Sequence, residues 1–372
     1  MNQSDWLIRV KDSLVEFLDM LQIAGKPGRF LPCTKGLTQE GRQIALGFSC
    51  FALKIYYTLG LWDKLYSKVQ TDWISFIKLF QASGKPMGKW VTYNAFIDEP
   101  IITYLGRQTA WYKNFIDRVF YPNRLTYLQR VIIAETKQAV ATLAQVGESS
   151  DQPYRGFPIT EKKVNNYLSN LDWTQPWGAG AQLSALAVFL TSQAPSFLKP
   201  EETRQLLDDC LCFIESLADK ETGAYFKGPT PVYGMLINGA MKILTALDWL
   251  NISMHYPERL IDTCLEHLPS SEGCHLVDAI YVIYRCSKQS EHRKADVQTY
   301  CNKVLGMIKE HYNSDGGFSY NVRRSQTHYY GVAISKGYAV SDIHGTCLLT
   351  WAVAMILEIL DDNWVGWNVI RP

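Results

Sequence analysis

Phe17-Leu18-Asp19-Met20-Leu21-Gln22, followed after a short connection by Gly28-Arg29-Phe30, is the stretch whose reading decides the fold of this chain. An aromatic–aliphatic pair closes a helical pattern, a glutamine stands five residues after the aromatic, and a Gly-x-aromatic turn follows. The phrase returns at Phe76-Ile77, Gln81 and Gly88-Lys89-Trp90 with the same spacing from aromatic to glutamine. Looser copies read Phe213-Ile214 with Gly223-Ala224-Tyr225, and Met307-Ile308 with Asp315-Gly316-Gly317-Phe318. A recurring unit of this size reports architecture, because a unit too small to bury its own apolar face must stack on its neighbours.

Working outward, each phrase ends one helical pattern and precedes another. Trp6, Leu7, Val10, Leu14, Phe17, Leu18 and Leu21 fall at i, i+3, i+4 spacing, the mark of an amphipathic helix. The pattern predicts outer helices near 5–22, 63–81, 124–145, 201–218, 257–268 and 295–312. It predicts inner helices near 38–60, 93–106, 177–192, 232–248, 275–286 and 341–360. The inner set is more apolar and carries small residues, such as Gly178-Ala179-Gly180-Ala181 and Gly239-Ala240, where helices can approach closely. Six hairpins closing on themselves make an all-α (α/α)6 toroid, two concentric rings with a cavity at the inner mouth. A generic helical repeat is the other reading of the same pattern. Gln22 and Gln81 are expected to bond the free carbonyls of helix ends or N–H groups of a neighbouring helix. The third hairpin is the weak copy: Gln145-Val146-Gly147 leads into a long irregular stretch through Trp173, and such loops are uncommon.

The 372 residues carry no Pro/Gly/Ser linker, so one domain spanning 1–372 is expected. Hydrophobic residues make up 47%, enough for a large core, and a net charge of +1 offers no field for nucleic acid. Residues 1–10 are too polar for a secretory signal, and no apolar run reaches the roughly 18 residues of a membrane span, which leaves only peripheral membrane contact open. Nine cysteines form no paired framework, so a reducing cytoplasm is expected. No CxxC, HExxH, Walker loop or GxGxxG occurs, and no metal, nucleotide or redox cofactor is expected. The oligomeric state leaves no mark on the sequence.

Eleven Trp and 21 Tyr suit a cavity lined by π-faces, which stabilise cations or stack on sugar rings. Trp173, Trp177, Tyr225, Tyr233, Tyr281, Tyr320 and Trp351 occupy turn or inner-helix positions and are candidate lining residues, with core packing as the alternative for each. Asp278 lies in the apolar run His275-Leu276-Val277-Asp278-Ala279-Ile280-Tyr281. A carboxylate there needs a reason, either as a polar group in the cavity or as one half of a salt bridge to Arg285 or Lys242. Asn238 and Lys242, four apart, share one helix face, fit either to bind a carboxylate or hydroxyl or to tie helices together. Lys227, Arg323 and Arg324 near the aromatic turns could greet an anionic head group or simply be solvated.

The Phe-Ile-x-x-x-Gln…Gly-x-Trp phrase at 76–90 resembles the QW repeat of squalene-hopene cyclases and other class II terpene cyclases, whose toroid is shared by prenyltransferase β-subunits. The closest match in size is a single-domain bacterial meroterpenoid cyclase. The resemblance implies proton-initiated cyclisation of a small apolar isoprenoid or prenylated aromatic substrate. Two departures stand against it. The Asp-x-Asp-Asp acid motif is absent; its nearest counterpart is Ser341-Asp342-Ile343-His344-Gly345-Thr346. The zinc site of the prenyltransferases, matched loosely by Asp278 and His344, has Ile280 where a thiolate is required. On this resemblance Asp342 is the general acid and His344 its orienter; equally, Ser341 or Asp342 is the N-cap of the last inner helix. The competing function is an (α/α)6 carbohydrate-active enzyme, with Asp342 paired to Asp278 or Asp172 as acid and base. The third is a non-catalytic toroid that binds a lipid or a protein.

Overall fold

The computed structural model describes residues 3–82, 94–108, 125–362 and 364–372. Among them, outer and inner helices alternate along the chain. The outer helices are α1 (Gln3–Leu21), α3 (Ser67–Lys78), α5 (Glu161–Ser169), α7 (Pro200–Glu215), α9 (Pro257–Leu265) and α11 (Lys294–Lys309). The inner helices are α2 (Leu46–Thr58), α4 (Tyr127–Gln145), α6 (Pro176–Ser192), α8 (Tyr233–Leu250), α10 (Gly273–Ser287) and α12 (Ile343–Ile359). The inner helices pack in order, α2 on α4, α4 on α6, then α8, α10 and α12, and α12 returns to α2. That cycle closes the ring, so the chain is a mostly helical (α/α)6 toroid. A helix apolar on nearly every side must be buried on every side. Thus α6 and α12, with residues such as Leu183, Phe189, Leu349 and Met355 fully or almost fully buried, sit between two ring neighbours with an outer helix behind.

The repeated phrase builds one recurring device. Where an outer helix ends, the chain folds back and pairs antiparallel with itself for a single residue: Gln22 with Phe30, Gln81 with Phe96, Ala218 with Tyr225, Tyr312 with Phe318. Each bridge is flanked by the same two backbone bonds, for example Ile23 N–H to Arg29 O and Leu31 N–H to Leu21 O, both 2.9 Å. The sixth hairpin repeats this with Asn313 N–H to Gly317 O and Ser319 N–H to His311 O, both 3.0 Å. Gly28 sits at φ +76°, and a Cβ there would come within 2.7 Å of the Trp73 ring, so the turn needs glycine. In the second copy Phe96 takes the bridging position; Trp90 lies outside the described residues.

Two expected helices change places. The segment 127–145 is an inner helix, not an outer one, and the helix at Glu99–Gln108 packs outside it rather than in the ring. The reason lies in α4 itself: Val131, Glu135, Thr136, Ala139, Val140 and Leu143 are all buried, too many faces for an outer helix. The outer partner in that part of the ring is α5, hidden in the stretch expected to be irregular because only Val164 and Leu168 anchor it. The predicted helix at 38–60 is broken at Ile44, whose backbone is extended between the short turn Gln39–Gln43 and α2.

Of the two glutamines, Gln81 acts through its side chain. Its amide reaches Asn94 O (2.9 Å) and Gln152 O (2.6 Å) and accepts from Gln152 N–H (3.1 Å), fastening the 147–172 connection to the end of the second outer helix. Gln22 is exposed and, among the described residues, joins through its backbone alone.

The two ends of the ring differ. At the end where inner helices begin, an excursion between α11 and α12 carries a hairpin, β1 (His328–Tyr329) paired with β2 (Val332–Ala333). At the other end residues 364–372 form a strap. Asn368 bonds Thr58 O and Tyr57 O below α2, Arg371 N–H bonds the Gln145 side chain below α4, and Pro372 O accepts from Trp249 below α8. Trp367 and Ile370 are buried beneath it. Among the described residues no helix is long and apolar enough to cross a membrane.

Candidate functional site

Polar residues on two inner helices recur at helical spacing inside apolar sequence. On α8 they are Asn238, Lys242, Thr245 and Trp249; on α10 they are Cys274, Asp278, Tyr281 and Arg285. The spacing i, i+4, i+7, i+11 puts each set on one stripe. The two helices touch beside these stripes. Asn238 Nδ2 lies 3.2 Å from His275 Nδ1; an amide NH2 only donates, so this assigns the imidazole lone pair to Nδ1. Trp177, at the start of α6, packs its ring 5.9 Å from that of His275. Tyr233, Ile237, Asn238, Ser270 and His275 line a groove of about 190 Å³ at this mouth. Tyr233 is held there by its hydroxyl, 2.7 Å from Cys264 O and 2.6 Å from His267 O.

Asp278 lies deeper and is 2% exposed. Burial pushes its carboxyl up to about 6, against the opposing pull of Lys242 and then His275. Its Oδ2 has no hydrogen-bond partner among the described residues. Arg285 is not its partner: that guanidinium pairs with Asp248 at 2.6 Å, where the Tyr281 hydroxyl also donates at 3.2 Å.

Asp342 is a different kind of buried carboxylate. It caps α12, accepting from Gly345 N–H at 2.7 Å on one oxygen, and from Tyr320 and Gln326 N–H at 2.7 and 2.9 Å on the other. Burial pushes it up to about 6, while those three N–H groups oppose the rise. His344 does not orient it. Its Nδ1 lies 3.1 Å from Gln326 Oε1, and its ring is stacked between Phe51 (4.5 Å) and Tyr320 (5.4 Å). Burial, then the charges of Lys242 and Lys54, push the imidazole down to about 3, so it is neutral at physiological pH. With Nδ1–H donating to Gln326, its lone pair sits on Nε2.

The largest surprise inside the ring is basic. Lys54 on α2 is only 7% exposed; Lys137 on α4 and Lys242 on α8 are partly buried. Lys137 is held well below the usual lysine range by burial and then by Lys54 and Lys242. In the ring α2 stands beside α4, and α6 stands between α4 and α8, so the three lysines come from three separate inner helices. Among the described residues none of the three makes a hydrogen bond or an ion pair. Nearby on α4, Glu135 accepts from the Tyr329 hydroxyl of the hairpin at 2.6 Å, and burial, then Asp98, push it up to about 8. Lys54, Lys137, Glu135 and His275 were not singled out from the sequence. The signal was there for Lys54: Phe51-Ala52-Leu53-Lys54-Ile55 isolates a charge in an apolar helix as plainly as the Asp278 run does.

The remaining candidates scatter. Trp173 is core, its indole N–H donating to Leu168 O at 2.8 Å. Tyr225 is core beside His255, whose backbone N–H donates to its hydroxyl. Tyr281 and Trp351 pack together at 5.3 Å, and Tyr320 belongs to the Asp342–His344 cluster. Asp172 is exposed and holds Thr174. Lys227, Arg323 and Arg324 are exposed. Among the described residues no group of three His, Cys, Asp or Glu side chains is gathered for a metal.

No protein-family model matches the chain, and no curated protein matches it. Solved structures do superpose on it end to end. A possible member of the GH105 family from Salmonella enterica serovar Paratyphi A is 12% identical, with 96% of this chain and 95% of that one covered and a TM-score of 0.45. A polysaccharide lyase is 11% identical, covers 95% and 98%, and scores 0.47. The GH76 α-mannanase of Bacteroides thetaiotaomicron is 11% identical, covers 96% of each and scores 0.43. None of the three is a terpene cyclase, and the expected class II terpene cyclase is corrected accordingly. The molecule gives its own reason. A cyclase needs a proton aimed into an apolar cavity, whereas Asp342 spends both oxygens on backbone N–H groups and the lumen carries lysines.

Proposed function

We propose that the chain is a carbohydrate-active enzyme that binds a hydroxyl-rich ligand at the mouth of the inner ring and acts on it by proton transfer. The observation that carries the reading is the polar lumen: inside a ring of apolar helices, Asn238, Lys242, His275 and Asp278 converge with unfilled bonding capacity. An apolar isoprenoid would leave Lys242 and the Asp278 carboxyl without a partner, at about 1–3 kcal/mol apiece. A sugar supplies donors and acceptors to all of them. In this reading Asp278 is the acid/base: a carboxyl near 6 can both give and take a proton close to neutral pH. Asn238 and His275 orient hydroxyls, and Trp177 offers a face for the ring. The similar structures include two glycoside hydrolase family names and a lyase, which is consistent with the proposal without carrying it.

The test is turnover of a panel of neutral and acidic oligosaccharides, read as new reducing ends and as new unsaturated products. Asp278→Asn is expected to lower turnover by about 10² or more while still binding ligand. A panel with no binding and no turnover, or an Asp278→Asn variant of full activity, overturns the reading.

A further inference from the structure

We infer that Lys54, Lys137 and Lys242 form a cage inside the ring for a polyanionic group, one carrying at least two negative charges as clustered carboxylates or as phosphate. The lysines come from α2, α4 and α8, three walls of one lumen. Lys54 is more than nine-tenths buried and has no acceptor among the described residues. The Lys242 stem is fixed from behind: a Cβ added to Gly180 of α6 would come within 2.9 Å of its Cβ, so α6 and α8 are in close contact there. A buried ammonium without a partner is costly, and repulsion between Lys54 and the partly buried Lys137 and Lys242 adds to that cost. The carboxyls that face the cage do not neutralise it. Asp278 is held up at about 6 by burial against the pull of Lys242, and Glu135 is engaged by Tyr329 and protonated at neutral pH. A structural role would have placed a carboxylate against each lysine, as Asp248 stands against Arg285. The surplus positive charge is what an incoming anion removes. Because the fields of Lys242 and Lys54 reach His344, anion binding also makes that imidazole a better base.

This deepens the carbohydrate proposal, on which it rests only for the rest of the ligand: the acidic group is either borne by the sugar or is a separate phosphate. The experiment is calorimetric titration and thermal melting with three probes: digalacturonate, inorganic pyrophosphate and neutral cellobiose. They are run on the natural chain and on Lys54→Met, Lys242→Met and Lys242→Arg. At least one acidic probe is expected to bind ten-fold or more tightly than cellobiose. Each Met variant should weaken that binding about 10- to 100-fold, the scale of a lost charge-assisted bond, and Lys242→Arg should retain most of it. The Met variants should also melt higher than the natural chain when no ligand is present, since they remove buried repulsion; a structural lysine would do the opposite. Binding of digalacturonate alone identifies a sugar carboxylate, and binding of pyrophosphate alone a phosphate; either supports the cage. Cellobiose binding as tightly as both acids overturns the cage and leaves the carbohydrate reading standing. So does acid binding undiminished by the Met variants. Binding of neither acid also overturns it.

Discussion

The head of α12 and the middle of α10 each bury a carboxyl, and burial pushes both up to about 6. Asp342 is 1% exposed and Asp278 2%. Their surroundings are opposite. Asp342 is met by three backbone N–H groups from three places in the chain, and its bonding is complete. Asp278 has an oxygen with no partner among the described residues. Burial alone therefore does not distinguish a structural acid from an acid available for chemistry; completeness of bonding does. A satisfied group is stable because its bonds are already made, and an unsatisfied one is held in place by the fold at a cost that only a ligand removes.

The widest separation between the two sites is expected on deletion. Asp342→Ala strands three N–H groups and uncouples α12 from the 320–326 loop. It should lose about 3–5 kcal/mol, read by chemical denaturation. A loss below about 1 kcal/mol would erase the distinction. Asp278→Asn should move the other way. The folded chain holds this proton more tightly than the unfolded chain does. Its contribution is therefore fully present below pH 3.8 and is lost as pH rises through about 6. The Asn variant escapes that loss, so it should be more stable than the natural chain by about 1–3 kcal/mol at pH 7 to 8, with the gain vanishing near pH 3.5. Equal stability at both pH values would mean the carboxyl has a partner after all.

Gln81 extends the satisfied class to a neutral amide. Gln81→Ala should cost about 1–2 kcal/mol and expose the 147–172 connection to proteolysis, with ligand binding unchanged. Trp351 extends the unsatisfied class, because its indole Nε1 is buried without a partner among the described residues. Trp351→Phe should change stability by less than about 1 kcal/mol, the lost volume offset by relief of a stranded donor. A large loss would place an acceptor on that nitrogen.

What could be read from the sequence follows the same division. The Phe17–Phe30 phrase exposes the hairpin repeat because its glycines and bridging aromatics act locally, within one turn of chain. Ring membership is harder to read: α4 carries charges like an outer helix, and it is the burial of several of its faces that places it between α2 and α6. Asp278 and Asn238 stood out because a polar residue in an apolar run is visible in one dimension. That Asp342 accepts from residues 320 and 326, or that burial and the charges of Lys54 and Lys242 lower the pKa of Lys137, depends on segments roughly 20 or 100 positions apart. The resemblance to the QW repeat tracked the same local turn, and a turn says how a ring is built, not what it holds.

The strap at 364–372 has a consequence for how the circle is held. Its bonds join Asn368, Arg371 and Pro372 to Tyr57, Gln145 and Trp249, which are 311, 226 and 123 positions away in the chain. Contacts that span so much chain cost loop-closure entropy until the hairpins have already come round. The strap is therefore a clasp on a finished circle rather than a guide to drawing it.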